Sequence, residues 1–308
     1  MQIFCHRGFY GCTDMYQDFL TQKSVKGEAL QNMPPENSED SIKAAFKAGY
    51  GVEIDVVKTK DNDIIITHTN SIMYHSSQAL PTDNITEKTL AEIKKLKTGL
   101  GGQTRPFLTY DKFIELLKKH PDCKANIEIK GALNTDGIAV EPRNPSIVDI
   151  LVKKTPKRLL KRIIWSSFAA SNLREIKNKL PQSNIAQLYM FPYTEEPYLY
   201  SDTNDIAMQF TKDNIEKTLE PLPELNAVHP SIDSLNEEAL QLCIEKKLGL
   251  RCWFYMEKNP AKDRKAKQFV LKLIEFQKNN PSMEIDLITD FADEIKNILL
   301  KHKIFIDN

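Results

Sequence analysis

Residues 51–68 read GVEIDVVKTKDNDIIITH, and the spacing of their apolar residues limits the topology of the whole chain. The stretch contains two short runs rich in β-branched residues, 52–56 and 64–67, and such runs are typical of strands. Only residues 57–63 separate the runs. A crossover between parallel strands needs about a dozen residues, so this connection is too short for one. The sequence therefore predicts an antiparallel hairpin.

Short apolar runs alternate with amphipathic helical patterns along the rest of the chain, as in a parallel sheet with helical crossovers. The candidate strands are residues 2–6, 52–56, 64–67, 125–130, 162–165, 185–190, 227–229, 249–254 and 285–288. The helical patterns cover residues 38–48, 88–96, 110–119, 145–152, 170–179, 212–218, 235–246, 261–278 and 292–300. Without the hairpin run 64–67, eight strands remain. We therefore predict an α/β fold in which residues 1–308 form a single TIM-type (β/α)8 barrel, with the hairpin and an insertion at its C-terminal mouth.

The chain has 308 residues with 42 basic and 42 acidic side chains, so its formal net charge is zero. Proteins that bind nucleic acid or anionic membrane surfaces usually carry an excess of Lys and Arg, and the balance argues against both partners. No stretch approaches the roughly 18 apolar residues of a transmembrane helix. The first residues, MQIFCHRG, lack the pattern of a secretion signal, so we expect a cytoplasmic protein. The oligomeric state stays open.

Two of the predicted strands carry charged residues between their aliphatic ones. Glu53 and Asp55 alternate with aliphatic residues in one strand, and Glu128 and Lys130 do so in another. Since side chains alternate between the two faces of a strand, each charged pair lies on one face, toward the barrel interior or mouth. A hard divalent cation, Mg²⁺ or Ca²⁺, would relieve the repulsion among three converging carboxylates. The alternative is a buried ion-pair network centred on Lys130, because structural networks imitate functional sites.

Two histidines stand at the ends of predicted elements. His6 and Arg7 end the first strand, and His68 ends the hairpin. In a barrel the C-terminal strand ends carry the chemistry, so we expect both imidazoles near the three carboxylates. Two imidazoles beside a cation suggest a general acid and a general base at a phosphoryl or acyl centre, and Arg7 offers a planar donor to phosphate oxygens. Taken singly, each histidine is more often an ordinary surface or core residue.

Several segments, in the correct order, resemble those of the glycerophosphodiester phosphodiesterase family. The stronger ones are HRG at 6–8, PENS at 35–38, the helix end at 44–49, EIDV at 53–56, the turn that leads to His68 and NIEIK at 126–130. The weaker ones are SSF at 166–168, Trp253 and ITDFAD at 288–293. The resemblance covers nearly the full chain, and the first five segments are specific only in combination.

The resemblance implies a TIM-type barrel, in agreement with the strand count. It also implies metal-dependent hydrolysis of a small-molecule glycerophosphodiester to glycerol 3-phosphate and an alcohol. One divalent cation, Mg²⁺ or Ca²⁺, would be held by Glu53, Asp55 and Glu128. His6 and His68 would form the acid–base pair, and which of them is the acid stays open. The attacking hydroxyl is either water or the glycerol hydroxyl next to the phosphate, and the second gives a cyclic intermediate.

The resemblance implies roles for further residues of the mouth. Arg7 and Lys130 would contact the phosphate, and Glu36 would lie near the metal and the substrate hydroxyls. Asn37 would brace the turn, and Trp253 would line the pocket.

The chain departs from the family pattern in three places. Thr69 stands where the family commonly has an Asp that orients the second histidine. The segment 9–33 is longer than usual, and we interpret it as a substrate-shaping lid, with a disordered insertion as the alternative. The usual Trp-x-x-Asn ending is replaced by WFYM at 253–256.

Two other functions fit the same motifs. A phospholipase D or sphingomyelinase D type of enzyme acting on a lysolipid shares the layout of two histidines and an EID-like strand, and a cyclic phosphate product would favour it. A barrel that binds a phosphodiester without turnover is the second alternative. The retention of every charged position argues against that second alternative.

Overall fold

The computed structural model describes residues 1–9, 33–68, 72, 83–99, 103–130, 145–190, 199–200, 205–206, 208–254 and 259–304. Within them, eight parallel strands close into a barrel. In chain order these are β1 (Gln2–Cys5), β2 (Gly51–Lys58), β3 (Ala125–Ile129), β4 (Ile163–Ser167), β5 (Asn184–Tyr189), β6 (Ala227–Pro230), β7 (Gly249–Trp253) and β8 (Ile285–Thr289). Each strand pairs with the next, and β1 pairs with both β2 and β8. The predicted TIM-type barrel is confirmed.

Helices follow the strands as the periodicity predicts. They are α1 (Glu39–Lys47), α2 (Leu90–Ile93), α3 (Tyr110–Lys119), α4 (Ile147–Lys154), α5 (Ala170–Lys179), α6 (Lys212–Leu219), α7 (Glu237–Glu245), α8 (Arg264–Asn279) and α9 (Ala292–Lys301). The main difference is the predicted helix 88–96, of which only the single turn α2 forms. It ends early because the chain turns into the short strand Lys97–Thr98, which pairs with Arg105–Pro106. No described helix is long and apolar enough to cross a lipid bilayer.

The core has two parts, as expected from side chains that alternate between strand faces. The outward side chains of β2, Val52, Ile54 and Val56, belong to the large cluster that also contains the apolar faces of the helices. A smaller cluster fills the barrel interior, and its buried members are Phe4, Ile164, Ala186, Ala227 and Ile288. The charged side chains on the inward face of β2 therefore lie next to this apolar interior cluster, on the side of the mouth.

The predicted hairpin is confirmed. Ile64–Ile66 runs antiparallel to the end of β2, with Val56 opposite Ile66. The turn is closed by Thr59, whose side-chain hydroxyl donates to Asp61 and accepts the backbone N–H of Asp63. The hairpin strand also pairs with Leu108–Thr109, outside the ring of eight. His68 comes directly after this hairpin, so the hairpin sets its position.

The start of β2 depends on a glycine. Gly51 lies beside Phe4 of β1 in the sheet, and the Phe4 ring lies against the glycine backbone. A Cβ atom at Gly51 would come within 2.6 Å of ring atom Cδ1 of Phe4, which is closer than side chains pack. Phe4 is fully buried in the interior cluster, so its ring has little room to move.

We expect Gly51→Ala to lower the free energy of unfolding by about 1–3 kcal/mol, as overpacked cores do. Gly249→Ala is the matched control, because a Cβ there would meet the Cβ of Ala227 at 3.3 Å. Urea denaturation followed by circular dichroism gives both values. Equal losses in the two variants would contradict the proposed contact between Gly51 and Phe4.

Candidate active site

Three carboxylates meet at the mouth of the barrel. Glu53 and Asp55 are on β2 and Glu128 is on β3, where the strand register places Asp55 beside Glu128. Each of the three offers an oxygen, and these oxygens all lie within 4.8 Å of one another. All three residues are buried. The strand pairing that the sequence could only suggest thus brings the predicted metal ligands together.

The three carboxyl groups differ in ionisation. Burial, with the neighbouring carboxylates Asp55 and Glu128, raises the pKa of Glu53 well above its ordinary value. Burial also raises the pKa of Glu128, although Lys130 opposes the rise. For Asp55, burial disfavours the charged form, but Lys130, His68 and Arg7 outweigh burial and lower its pKa. Asp55 is therefore the carboxyl group that ionises most readily, and Glu53 keeps a proton most readily.

The set of donors fits a hard divalent cation. Oxygen Oε1 of Glu53 is buried and has no hydrogen-bond partner among the residues that the structure describes. Its other oxygen, Oε2, accepts the backbone N–H of Arg7 at 3.1 Å, which fixes the direction of the carboxylate. An oriented but unused carboxylate oxygen beside two more carboxylates is the environment that Mg²⁺ and Ca²⁺ prefer.

Two cationic side chains border the carboxylates. Nζ of Lys130 lies 3.0 Å from Oδ1 of Asp55 and also pairs with Glu128. Nη1 of Arg7 donates to Glu36 at 3.0 Å, and its Nε lies 3.6 Å from Oδ2 of Asp55. The ion network around Lys130 that the sequence offered as an alternative is therefore present, and it coexists with the carboxylate cluster.

The described residues just after β1 and just before α1 have an unusual backbone conformation. Arg7 and Asn37 both have φ of 53°, a left-handed value that few residues other than glycine adopt. Gly8 has φ of 90°, and a Cβ there would lie 2.5 Å from Oγ of Ser41, so only glycine fits. The backbone N–H of Asn37 donates to the carbonyl of Arg7 at 2.8 Å. Such strain, worth about 1–3 kcal/mol per residue, concentrates at functional sites.

Asn37 also contacts one of the three carboxylates. Its Nδ2 donates to Oδ2 of Asp55 at 3.1 Å, so it orients one of the three carboxylates. Ser38 follows it as the N-cap of α1 in a capping box with Ser41, and this cap holds the Asn37 backbone next to the site. Sequence reasoning gave Asn37 only a bracing role, since nothing local shows which carboxylate it reaches.

The two histidines have different surroundings. His6 follows β1, and its Nδ1 lies 3.2 Å from Oδ1 of Asp290. His68 follows the hairpin, and its Nδ1 is buried without a hydrogen-bond partner among the described residues. Burial, with the Arg7 and Lys130 cations, lowers the pKa of His68 well below its ordinary value. Both imidazoles are close enough to Asp55 to lower its pKa, so they belong to the same mouth.

Trp253 stands on another side of the mouth. It ends β7, and its Nε1 donates to the backbone carbonyl of His229 at 3.0 Å. Its ring meets that of Phe168 edge to face, with centroids 6.4 Å apart. Leu188 and Met190 complete this apolar group. The structure thus places Trp253 in an apolar wall, while the charged residues gather around β1, β2 and β3.

Sequence reasoning assigned no role to Asp290, although it noted the segment ITDFAD. The available signal was an Asp two residues after the predicted strand 285–288, near the C-terminal end where the mouth was expected. Thr69, most of the 9–33 segment and residues 255–256 of the WFYM ending lie outside the described residues.

Residues 29–268 match the model of the Glycerophosphoryl diester phosphodiesterase family. The chain belongs to this family. A glycerophosphodiester phosphodiesterase of Caldanaerobacter subterraneus subsp. tengcongensis is 32% identical over 163 residues, which cover 50% of this chain and 61% of that relative. The family resemblance inferred from the motifs is confirmed.

Solved structures agree with the fold of this family member. A protein of Galdieria sulphuraria has a TM-score of 0.68 at 18% identity, with 97% of each chain covered. An Oleispira antarctica phosphodiesterase, solved in complex with the product sn-glycerol-3-phosphate, has a TM-score of 0.59 at 17% identity, with 97% of this chain and 96% of that chain covered. At these identities the similarity concerns the barrel fold alone.

The raised pKa of Glu53 predicts how the metal-free protein responds to pH. Between the ordinary value of 4.5 and the raised value, the folded protein binds more protons than the unfolded chain, so stability falls as pH rises through this interval. We expect Glu53→Gln to remove this dependence. At pH 7 in the presence of a chelator, Glu53→Gln should raise the Tm by about 2–4 °C for each kcal/mol that it adds to the free energy of unfolding.

Differential scanning calorimetry with and without Mg²⁺ or Ca²⁺ measures this effect. We expect either cation to raise the Tm of the unaltered protein and to leave the Tm of Glu53→Gln nearly unchanged. Glu216→Gln, at an exposed position on α6, is the matched control. A Glu53→Gln variant that loses stability in chelator would contradict the raised pKa of Glu53.

Proposed function

We propose that this protein hydrolyses a glycerophosphodiester to glycerol 3-phosphate and the free alcohol. The observation that carries the proposal is one mouth that gathers three buried carboxylates, two cationic side chains and two imidazoles. Membership of the family supports it, and so does the sn-glycerol-3-phosphate product in the Oleispira antarctica phosphodiesterase. The alignment covers 61% of the curated relative, whose activity is therefore carried over only as part of this proposal.

Glu53, Asp55 and Glu128 would hold one divalent cation, Mg²⁺ or Ca²⁺. The buried oxygen Oε1 of Glu53, with no hydrogen-bond partner among the described residues, supports this role. When bound, the cation supplies positive charge to the nonbridging phosphate oxygens and acidifies a nearby hydroxyl. Asn37 and the backbone N–H of Arg7 orient two of the three ligands.

Arg7 and Lys130 would bind the phosphate. Both lie beside Asp55, so a phosphate at the carboxylate cluster would come within reach of their donors. The contact with Glu36 holds one side of the Arg7 guanidinium and leaves its planar set of donors oriented. Positive groups placed before the reaction stabilise the charge that develops on the phosphate oxygens.

His6 and His68 would move the two protons that hydrolysis requires. One imidazole takes a proton from the attacking water as the new P–O bond forms. The other gives a proton to the oxygen of the leaving alcohol as the old P–O bond breaks. The alcohol then leaves as a neutral molecule and not as an alkoxide, which is a poor leaving group.

Glu36 and Trp253 would contact the organic parts of the substrate. Glu36 is held beside Arg7, so its carboxylate can accept hydrogen bonds from glycerol hydroxyls near the phosphate. Trp253 and Phe168 form an apolar wall that can pack against carbon atoms of the substrate. The identity of the alcohol would depend on this wall and on the loops around it.

We expect the protein with Mg²⁺ or Ca²⁺ to release alcohol from at least one of glycerophosphocholine, -ethanolamine, -inositol and -glycerol. His6→Ala should lower kcat at least about 100-fold, which is the usual contribution of an acid–base group. His302→Ala is the control, since His302 is exposed at the end of α9. Phosphorus NMR of the products measures the reaction.

Failure to cleave any member of this panel would contradict the proposed hydrolysis. A cyclic phosphate as the final product, from these substrates or from a lysolipid, would indicate a sphingomyelinase D type of lyase. Binding of a phosphodiester without turnover under any metal would indicate a non-catalytic barrel.

Removal of the metal tests the proposed role of the carboxylates. We expect EDTA to abolish turnover, and Mg²⁺ or Ca²⁺ to restore it, because the cation neutralises phosphate charge. Glu128→Gln should need a higher cation concentration for half-maximal rate, since it loses one charged ligand. A rate that is unchanged after exhaustive chelation would contradict the metal-dependent mechanism.

A further inference from the structure

Asp290 is a charged residue of the mouth to which the proposed reaction assigns no role. It follows β8 directly, as His6 follows β1, and these two strands pair in register with Cys5 opposite Thr289. The pairing continues one step further, because the backbone N–H of His6 donates to the carbonyl of Thr289 at 3.0 Å. The Asp290 carboxylate is thereby placed beside the His6 imidazole, with Oδ1 3.2 Å from Nδ1.

We propose that Asp290 is a positioning residue that holds His6 in one orientation and one tautomer. Its Oδ1 accepts the hydrogen of Nδ1, so the neutral ring carries its proton on Nδ1 and presents the lone pair of Nε2 to the reacting oxygen. The inference rests on the proposed function for its catalytic consequence, but the tautomer is a property of the protein without substrate. An imidazole–carboxylate pair serves the same purpose in hydrolases that are otherwise unrelated.

The surroundings of Asp290 make it a suitable anchor. Its side chain is fully buried, whereas that of His6 is 23% exposed, so the carboxylate is the fixed partner and the ring is the accessible one. Phe291 follows as the N-cap of α9, and the Phe291 backbone N–H donates to Oγ1 of Thr289. A strand and a helix thus hold the backbone on both sides of Asp290, and this limits the positions that its carboxylate can reach.

Among the described residues, the other imidazole has no such contact. Nδ1 of His68 has no hydrogen-bond partner among the described residues, and the next residue is Thr69, where the family commonly has Asp. The two imidazoles are therefore unequal: the observed carboxylate partner belongs to His6.

Other charged groups near His6 do not replace Asp290. Asp55 on β2 interacts with His6 electrostatically, but Asp55 is engaged by Lys130 and Asn37. Arg7, the next residue along the chain, is directed to Glu36 and Asp55. The described hydrogen bond to the His6 ring is that of Asp290. The tautomer of His6 therefore reports whether this hydrogen bond is present.

Nitrogen-15 NMR of the histidine side chains tests the inference without any substrate. We expect neutral His6 to show a protonated Nδ1 and an unprotonated Nε2 in the unaltered protein, with the signal assigned by its loss in His6→Gln. Asp290→Asn should give a mixture of tautomers, because the amide can donate to Nδ1 as well as accept from it. Asp293→Asn is the matched control, since Asp293 accepts from Tyr50 and leaves His6 untouched.

Steady-state kinetics provide the second arm. We expect Asp290→Asn to lower kcat at least about 10-fold, a part of the roughly 10²–10⁴-fold that an acid–base group contributes, with KM within about twofold. Asp290→Glu, which keeps the carboxylate, should recover part of this loss, and Asp293→Asn should retain full activity. A purely structural role for Asp290 would change the Tm and leave the tautomer and the ratio of kcat to KM unmoved.

The outcomes separate this inference from the proposed function. Neutral His6 with its proton on Nε2 in the unaltered protein would overturn the inference, even if the variants do not fold. An unchanged His6 tautomer and unchanged kcat in Asp290→Asn would overturn it as well. The expected tautomer in a protein that cleaves no glycerophosphodiester would support the positioning role of Asp290 and contradict the proposed hydrolysis.

Discussion

The mouth of the barrel depends on three carboxylates being held within 4.8 Å of one another. Their mutual repulsion would separate them on a flexible chain, but Asp55 and Glu128 are on paired strands whose hydrogen bonds keep them side by side. Lys130 and Arg7 offset part of the repulsion and keep Asp55 ionised. Burial first, and the neighbouring carboxylates second, still raise the pKa of Glu53, so a divalent cation that bound there would displace any proton that Glu53 holds.

The elements around these carboxylates divide the mouth into two sides. On one side, Arg7 after β1 and Asn37 before α1 have left-handed backbone conformations, and each orients one carboxylate. On the other side, Trp253 and Phe168 form an apolar wall on strands that carry no part of the carboxylate cluster. The proposed substrate, a phosphodiester, has a charged centre and an organic substituent, which correspond to these two sides.

Much of the fold could be predicted because it follows from local spacing. The short connection after β2 excluded a parallel crossover, and this one constraint reduced nine candidate strands to the eight of the barrel. Alternation along β2 placed Glu53 and Asp55 on the inward face before any tertiary contact was known. The helix predicted for 88–96 was too long. Periodicity alone would continue the helix, but the chain forms the strand Lys97–Thr98 instead, which pairs with Arg105–Pro106.

The sequence by itself indicated that His6 and the three carboxylates would lie near one another at the mouth, since the C-terminal end of every strand lies at the same face of a parallel barrel. Only the tertiary structure decided how those residues are paired. Closure of β1 against β8 brings Asp290 to His6 across almost the full length of the chain, and Asn37 reaches Asp55 only because α1 begins where it does. Periodicity gives the face on which a side chain lies, whereas partners and ionisation depend on distances that exist only once the sheet has closed.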